Sequence, residues 1–393
     1  MTMQPNRISA IILAAGYSCR MGAFKPLLEI GNIPVLERVI RLFRDAGIED
    51  VVVVLGHRRE EVAPLVEGLG GRGVRNDHYE RGMFSSVQAG VRALSPDSEA
   101  FFVLPVDIPL VRPQTIRDLL EYPVEATDSI VYPVFSARRG HPPLISAGFG
   151  EEILAHSGEG GLKAVLRKHE GSAVHVGVAD RHILCDMDTP ADYTALQDGF
   201  GRYGVPTPDE LKVLMETKFP LRGDRLRHSC AVARTALKLA GALNRARGSL
   251  DVGLVLSTAF LHNEADGEPN RVLAIAEELR KMGFSTMAEA LVSRSDPFTD
   301  SRESVTETEL VYLAERLVHE NRLFSADGQF IVTSSPEEGD STARETILTE
   351  DEHTSDMIKR VERELGGPLE SALDPRTEAT EDEAIQSLLA ATW

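Results

Sequence analysis

A chain of 393 residues is long enough for two or three domains, and its 42% hydrophobic and 26% charged residues are those of an ordinary globular protein, which excludes global disorder. The 61 acids against 42 bases leave a net charge of −19, which argues against a surface built to grip nucleic acid or anionic lipid, so any anion site must be local. No apolar run reaches the roughly 18–20 residues that span a bilayer. The polar start MTMQPNR lacks the apolar stretch of a secretory signal, and three scattered cysteines, Cys19, Cys185 and Cys230, make neither a disulfide framework nor a thiolate metal site, so the expected location is the cytoplasm.

In chain order, ISAIILAA (8–15) predicts a buried strand that runs into a Gly-bearing loop, and residues 34–46 predict a helix opened by Pro34 and ended by Gly47. VVVVL (51–55) predicts a second strand, SSVQAGVRAL (85–94) a helix, and FFVLPV (101–106) a third strand that ends at Asp107. This alternation predicts an α/β, Rossmann-like domain over residues 1–200, a mostly parallel sheet with helices on both faces. Gly and Pro concentrate in GFGRYGVPTPD, which marks a linker near 199–209. Beyond it the pattern is helical, in HSCAVARTALKLAGALN, LDVGLVLSTAFLHN, VLAIAEELRKMGF, STMAEALVSRS and ETELVYLAERLVHEN, and predicts an all-α domain over 210–334. Residues 335–393 read as an acidic tail with one helix-like stretch, SDMIKRVERELGG, and hold more than half of the net negative charge.

Residues 1–28 contain Arg7, Arg20 and Lys25 and no acid. A Gly loop after a first strand exposes backbone N–H groups, and fixed cations beside it suit a polyphosphate; a plain turn with solvated cations is the alternative. The loop is neither GxxxxGK[ST] nor GxGxxG, which lowers P-loop and dinucleotide readings. Asp107 stands at the carboxyl end of a predicted central strand, where open α/β sheets place ligands, and suits a metal-binding carboxylate; a helix cap near Pro113 or a turn before Pro109 is the other reading. Asp186 and Asp188 are two apart, so an extended segment would turn both to one side, although Asp188 also stands where it would cap a helix opened by Thr189 and Pro190.

The run Leu13, Ala14, Ala15, Gly16, Ser18, Arg20, Met21, Gly22 and Lys25 resembles the L-A-A-G-x-S-x-R-M-G-x-x-K signature of MobA-like nucleotidyltransferases. Its Ala-Ala-Gly form followed by Ser is closer to the molybdenum cofactor cytidylyltransferases than to the guanylyl branch. ERGMFSSVQAG (80–90), LPVDIPL (104–110), RGHPPLI (139–145) and CDMDTPADY (185–193) resemble further segments of the same family, with Phe84 a departure from the small residue often found there. The resemblance covers about residues 8–200. It implies an enzyme that uses Mg²⁺ or Mn²⁺ to transfer a nucleotidyl group from a nucleoside triphosphate, CTP favoured, to a small phosphorylated acceptor such as molybdopterin, with release of pyrophosphate. It makes Arg20, Lys25 and Asp107 catalytic and Asp107, Asp186 and Asp188 metal ligands. Leu13, Ala14, Ala15, Gly16, Arg20, Lys25, Gly82, Ser85 and Ser86 fall to the nucleotide, as does Asn76 unless it is a plain turn residue, and His141 falls to the acceptor unless its role is purely structural. A molybdoenzyme or its chaperone is an implied partner; no membrane or nucleic acid is. Transfer to a methylerythritol or sugar phosphate, or a nucleotide-binding regulatory role, remains open.

The second domain resembles the HD phosphohydrolase domain, whose histidines and acids gather metals among helices. His228 matches the first His, His262 the His of the His-Asp pair, and Asp296 the distal Asp. Asn263 replaces the pair's Asp and Asn270 falls where related domains often have another His, so hydrolysis is expected to be lost; His228, His262 and Asp296 either hold a second divalent metal as a remnant site, or the two histidines are satisfied core residues.

Overall fold

The computed structural model describes residues 5–122, 129–246, 248–262, 269–294, 304–319, 322–324, 330–331 and 352–373. The chain divides between Tyr203 and Gly204 into two compact units.

The first unit grows around one strand. All seven residues of β1 (Ile8–Ala14) are buried, and a continuous apolar run rather than an alternating one is what a strand covered on both faces requires. The chain continues through a short hairpin, β2 (Glu29–Ile30) and β3 (Ile33–Pro34), into α1 (Val35–Asp45) and β4 (Asp50–Leu55). Next come α2 (Arg59–Gly68), β5 (Arg72–Arg75), α3 (Met83–Arg92), β6 (Ala100–Pro105) and α4 (Pro113–Leu120). The unit is completed by β7 (Ile130–Phe135), β8 (Arg138–Arg139), β9 (Leu144–Ser146), α5 (Gly150–Ala155), α6 (Gly161–Arg167), β10 (Ala173–Gly177) and α7 (Pro190–Gly201). Helix α1 buries Val35, Leu36, Val39, Ile40, Leu42 and Phe43 along one face. At about 1.5–3 kcal/mol for each large apolar side chain, that face stabilises a helix whose 11 residues would be marginal alone. Helix α3 starts two residues before the predicted 85, because Gly82 is its N-cap at φ 96°, a conformation that favours glycine.

The strands run in the order β10-β7-β9-β6-β1-β4-β5, with β8 paired to β7. β1 is parallel to both β4 and β6, β4 to β5 and β7 to β10, while β9 lies antiparallel between β6 and β7. This is the expected Rossmann-like, mostly parallel sheet. From β1 the chain moves outward to β4 and β5, and it returns to β6 on the other side of β1. The carboxyl ends of β1 and β6 therefore open a crevice at a topological switch point, where such sheets take ligands. The two ends are joined by Val106 N–H donating to Leu13 O at 3.1 Å.

The second unit is helical: α8 (Pro208–Thr217), α9 (Gly223–Ala246), α10 (Val252–Leu261), α11 (Pro269–Lys281), α12 (Ser285–Arg294), α13 (Glu307–Leu317), α14 (Glu352–Leu365) and α15 (Leu369–Leu373), with three short antiparallel strands, β11 (Val318–His319), β12 (Arg322–Phe324) and β13 (Phe330–Ile331). Helix α9 is its axis and packs against α10, α13, α14 and α15. Capping boxes Thr207/Glu210 and Thr306/Glu309 start α8 and α13, each satisfying otherwise orphaned N–H groups. The helix predicted in the acidic tail is α14. It packs on α9 and α13, with Arg360 Nη1 2.7 Å from Glu309 Oε1 and Val305 N–H donating to Glu364 Oε1 at 2.8 Å. Among the described residues no helix is long and apolar enough to cross a membrane.

Candidate active site

The loop after β1 turns at Ser18, whose φ of 58° is left-handed, a conformation that costs a non-glycine residue about 1–3 kcal/mol and collects at functional sites. The turn is held by Met21 N–H donating to Ser18 O at 3.1 Å and Lys25 N–H donating to Ser18 Oγ at 3.3 Å. These bonds aim Lys25 inward. Its side chain is only 10% exposed, and Nζ donates to Asp107 Oδ2 at 3.0 Å and to Asp188 Oδ1 at 2.9 Å. An ammonium so desolvated would be costly unpaired. Desolvation presses the Lys25 pKa down, but the hydrogen bond to Asp188 and the charge and bond of Asp107 outweigh it and leave the pKa above its ordinary value. The same Lys25 hydrogen bond is the main cause holding the Asp188 carboxyl below the usual aspartate range. Arg20 Nη2 lies 2.9 Å from Asp188 Oδ2, on a side chain that is 73% exposed and therefore movable.

Arg112 occupies the N-cap of α4, and Thr189 that of α7 in a capping box with Asp192, so the capping roles that the sequence left open for Asp107 and Asp188 go to other residues. Between Asp186 and Asp188, Met187 is buried and its N–H donates to Asp107 O at 2.9 Å, which ties the closing motif to the end of β6. Asp186 is exposed. Its charge, with that of Asp107, raises the His141 pKa, but desolvation is the larger cause and leaves this imidazole below its ordinary value. His141 is exposed, and its backbone N–H donates to Ile183 O at 2.9 Å.

A cavity of about 310 Å³ runs along the crevice, floored by Leu13, Ala14, Ala15 and Gly16. Lys25 and Asp107 line it on the β6 side of β1. Its other side is built on the end of β4. There a Cβ on Gly56 would stand 2.7 Å from both Ala15 O and Tyr79 Cγ, so glycine is what lets Tyr79 close on the loop. Gly82, Met83 and Ser86 complete that side. Asn76 is buried, and its amide is committed: Nδ2 donates to Ser85 Oγ at 2.9 Å and Ser86 Oγ at 3.0 Å, and Oδ1 accepts from His78 N–H at 2.9 Å. Asn76 thus organises the turn that presents Gly82, Ser85 and Ser86. Tyr17 carries no signal in the sequence, because it occupies an unspecified position of the loop signature, whereas Met83 belongs to the ERGMFSSVQAG segment; the two line the cavity with 49% and 60% exposure.

In the helical unit, His228 on α9, His262 just after α10 and Glu315 on α13 bring one ligand atom each within 4.8 Å of one another. His262 is fully buried, and its Nδ1 lies 2.6 Å from Ala259 O. A carbonyl only accepts, so Nδ1 carries the proton and Nε2 keeps the lone pair that a metal would take. Asp296 and Asn263 lie outside the described residues. Glu315 carries no signal in the sequence, because an acid four residues beyond the buried Val311 looks like the edge of an amphipathic helix.

Residues 10–174 match the family model described as the MobA-like NTP transferase domain, so the first unit carries a nucleotidyltransferase-family domain. Among curated proteins, the bifunctional IPC transferase and DIPP synthase of Rubrobacter xylanophilus is 41% identical over 119 residues, 29% of this chain and 26% of that protein. The bifunctional protein GlmU of Sorangium cellulosum is 35% identical over 126 residues, 30% of this chain and 27% of its own. The matched segments span about a quarter of the length of these relatives. Among solved structures, a nucleotidyl transferase from Methanothermobacter is 26% identical and aligns with a TM-score of 0.45 over 50% of this chain and 99% of that one.

Proposed function

We propose that the first unit transfers the nucleotidyl group of CTP to the phosphate of molybdopterin or its molybdenum form and releases pyrophosphate. The observation that carries this reading is the Lys25 ammonium shared by Asp107 and Asp188 at the mouth of the Gly-bearing loop. In the reaction an acceptor phosphate oxygen attacks the α-phosphorus; the new P–O bond forms as the bond to the β-phosphate breaks, and its electron pair leaves with pyrophosphate. A phosphate monoester is ionised near neutral pH, so no general base is needed, and the obstacle is repulsion between anions. Lys25 and Arg20 supply the opposing charge: Lys25 is held in place by its carboxylates, and Arg20 is exposed and able to follow the departing phosphates. Two carboxylates that converge on one ammonium are also a fitting donor set for a hard divalent ion, Mg²⁺ or Mn²⁺, with the Lys25 ammonium as its stand-in. When bound, such an ion draws charge from phosphate oxygens. His141, neutral at pH 7 by the direction of its pKa, serves as an acceptor contact that adds no further charge.

The choice of CTP and molybdopterin rests on the Ala14-Ala15-Gly16 form of the loop. Pyrophosphate release measured with each of the four nucleoside triphosphates, with and without molybdopterin, tests it: release is expected from CTP with molybdopterin. Release with a methylerythritol or sugar phosphate in its place moves the acceptor, and nucleotide binding without release in any combination favours a regulatory role.

A second reading concerns the helical unit. There His228, His262 and Glu315 would hold one divalent metal, in an HD-like domain that has lost hydrolysis with the carboxylate replaced at Asn263. Ligands about 2.1 Å from one ion stand about 3.4 Å apart, and small side-chain rotations close the present spacing to that. A full chain carrying Asp107→Asn and Asp188→Asn, which disables the first site, is expected to retain one equivalent of Zn²⁺ or Mn²⁺ by elemental analysis and to lose it when His262→Gln and Glu315→Gln are added. Absence of metal before those additions contradicts the reading.

A further inference from the structure

The Lys25–Asp107 wall and the aromatic wall of the cavity lie on opposite sides of β1. Lys25 and Asp107 belong to the β6 side, whereas Tyr79 packs on Gly56 at the end of β4. Tyr17 joins that second side: its ring centroid is 5.1 Å from the His57 ring and 5.1 Å from the Tyr79 ring. Among the described residues of the first unit, Met83 and Tyr17 are the two most exposed large apolar side chains, and both line this one cavity. Apolar surface left open at a cavity rim marks a place that a ligand covers. The Asn76 amide on this side is spent on Ser85, Ser86 and His78, which leaves Glu80 and the Ser86 hydroxyl as its polar lining beside the aromatic and Met83 surface.

We infer that Tyr17 and Met83 form a clamp that stacks the nucleobase of the triphosphate, and that this clamp supplies base-dependent affinity while Lys25 and Arg20 supply phosphate-dependent affinity. The inference rests on the nucleotidyltransferase reading of the same cavity. A flat heteroaromatic ring whose triphosphate reaches Lys25 has its remaining apolar contact on the β4 side of the cavity, against a tyrosine face and a methionine side chain that adapts to either ring size. The side-chain hydrogen bond with Tyr79 raises the Tyr17 pKa above its ordinary value, so the ring stays neutral. A stacking clamp tolerates every base, since each has a π-face, so discrimination between bases is left to the backbone of Ala14, Ala15 and Gly82.

Calorimetric titration of the full chain with CTP and, separately, with inorganic tripolyphosphate tests this. Tyr17→Ala is expected to weaken CTP about 10-fold, within the range that alanine substitution removes from base stacking, while tripolyphosphate affinity changes less than about 2-fold. Tyr17→Phe, which keeps the ring, should stay within about 2-fold of wild type for both, and Met83→Ala should weaken CTP alone by about 3-fold. Unchanged CTP affinity in Tyr17→Ala, or equal weakening of tripolyphosphate, overturns the clamp. So does an unchanged CTP affinity joined to a raised acceptor KM, which would assign the aromatic wall to the acceptor's ring. Failure of the wild-type chain to bind any nucleoside triphosphate is a different result: it removes the nucleotidyltransferase reading and the clamp with it.

Discussion

Asp107→Asn should lower Mg²⁺-dependent pyrophosphate release by about 10²–10³-fold, the scale on which removing one charge-stabilising group acts in a transition state. The substitution keeps the shape of the side chain and an oxygen that accepts from Lys25 Nζ, now 3.0 Å from Asp107 Oδ2. It removes the charge that a divalent ion needs, because an amide carbonyl is a neutral and weaker donor to a hard cation. The fold should be little affected. Lys25 retains Asp188 at 2.9 Å, so its buried ammonium is not left unpaired. The Met187 N–H bond that secures the closing motif goes to the backbone oxygen of Asp107, which the substitution leaves intact. Steady-state release assays beside thermal unfolding check both halves of this expectation: a variant with unchanged turnover, or one that loses turnover only because it unfolds, contradicts the role given to Asp107.

Lys25→Met is the second large effect. It deletes the cation that neutralises two carboxylates and, in the proposed reaction, the phosphates, so turnover should fall by about 10²–10³-fold. Its second signature separates it from general damage. With the ammonium gone, Asp107 and Asp188 face one another without a cation between them, and Mn²⁺ should bind the nucleotide-free protein more tightly, by about 10-fold for the loss of one competing positive charge. The pH dependence follows the same pair. Lys25 holds the Asp188 pKa below its ordinary value, so the pair's contribution is complete above the aspartate range and is lost as pH falls through the lowered folded value. In Lys25→Met that value moves back up toward the ordinary one, and Mn²⁺ binding should weaken at a higher pH than in wild type. Electron paramagnetic resonance titration of Mn²⁺ across acidic pH measures both; weaker Mn²⁺ binding in the variant would show that Lys25 organises the carboxylates rather than competing for them.

Much of this site is legible in the sequence because its parts follow strands. A buried apolar run that ends in a Gly-bearing loop, and another that ends in Asp107, are visible as runs, and sheet topology alone brings their carboxyl ends together. The union of Lys25 with Asp188 spans 163 positions, and periodicity has no means of reporting it. Asn76 reads equally as a nucleotide contact or a turn residue, since only the positions of Ser85 and Ser86 reveal where its amide points. Tyr17 was invisible for another reason: a loop signature fixes the residues that make the turn and leaves its exposed positions unspecified, and those are the positions a ligand meets. In the helical unit, His228 and His262 stand out by residue type, but Glu315 joins them only through the packing of α13 against α9 and α10.

The most direct measurement is transfer of label from CTP radioactive at the α-phosphate, incubated with the full chain, Mg²⁺ and molybdopterin. Label should appear in the acceptor in step with pyrophosphate and should fail to do so with Asp107→Asn. Label that stays in CTP, or leaves as free CMP, would contradict nucleotidyl transfer at the Lys25, Asp107 and Asp188 cluster.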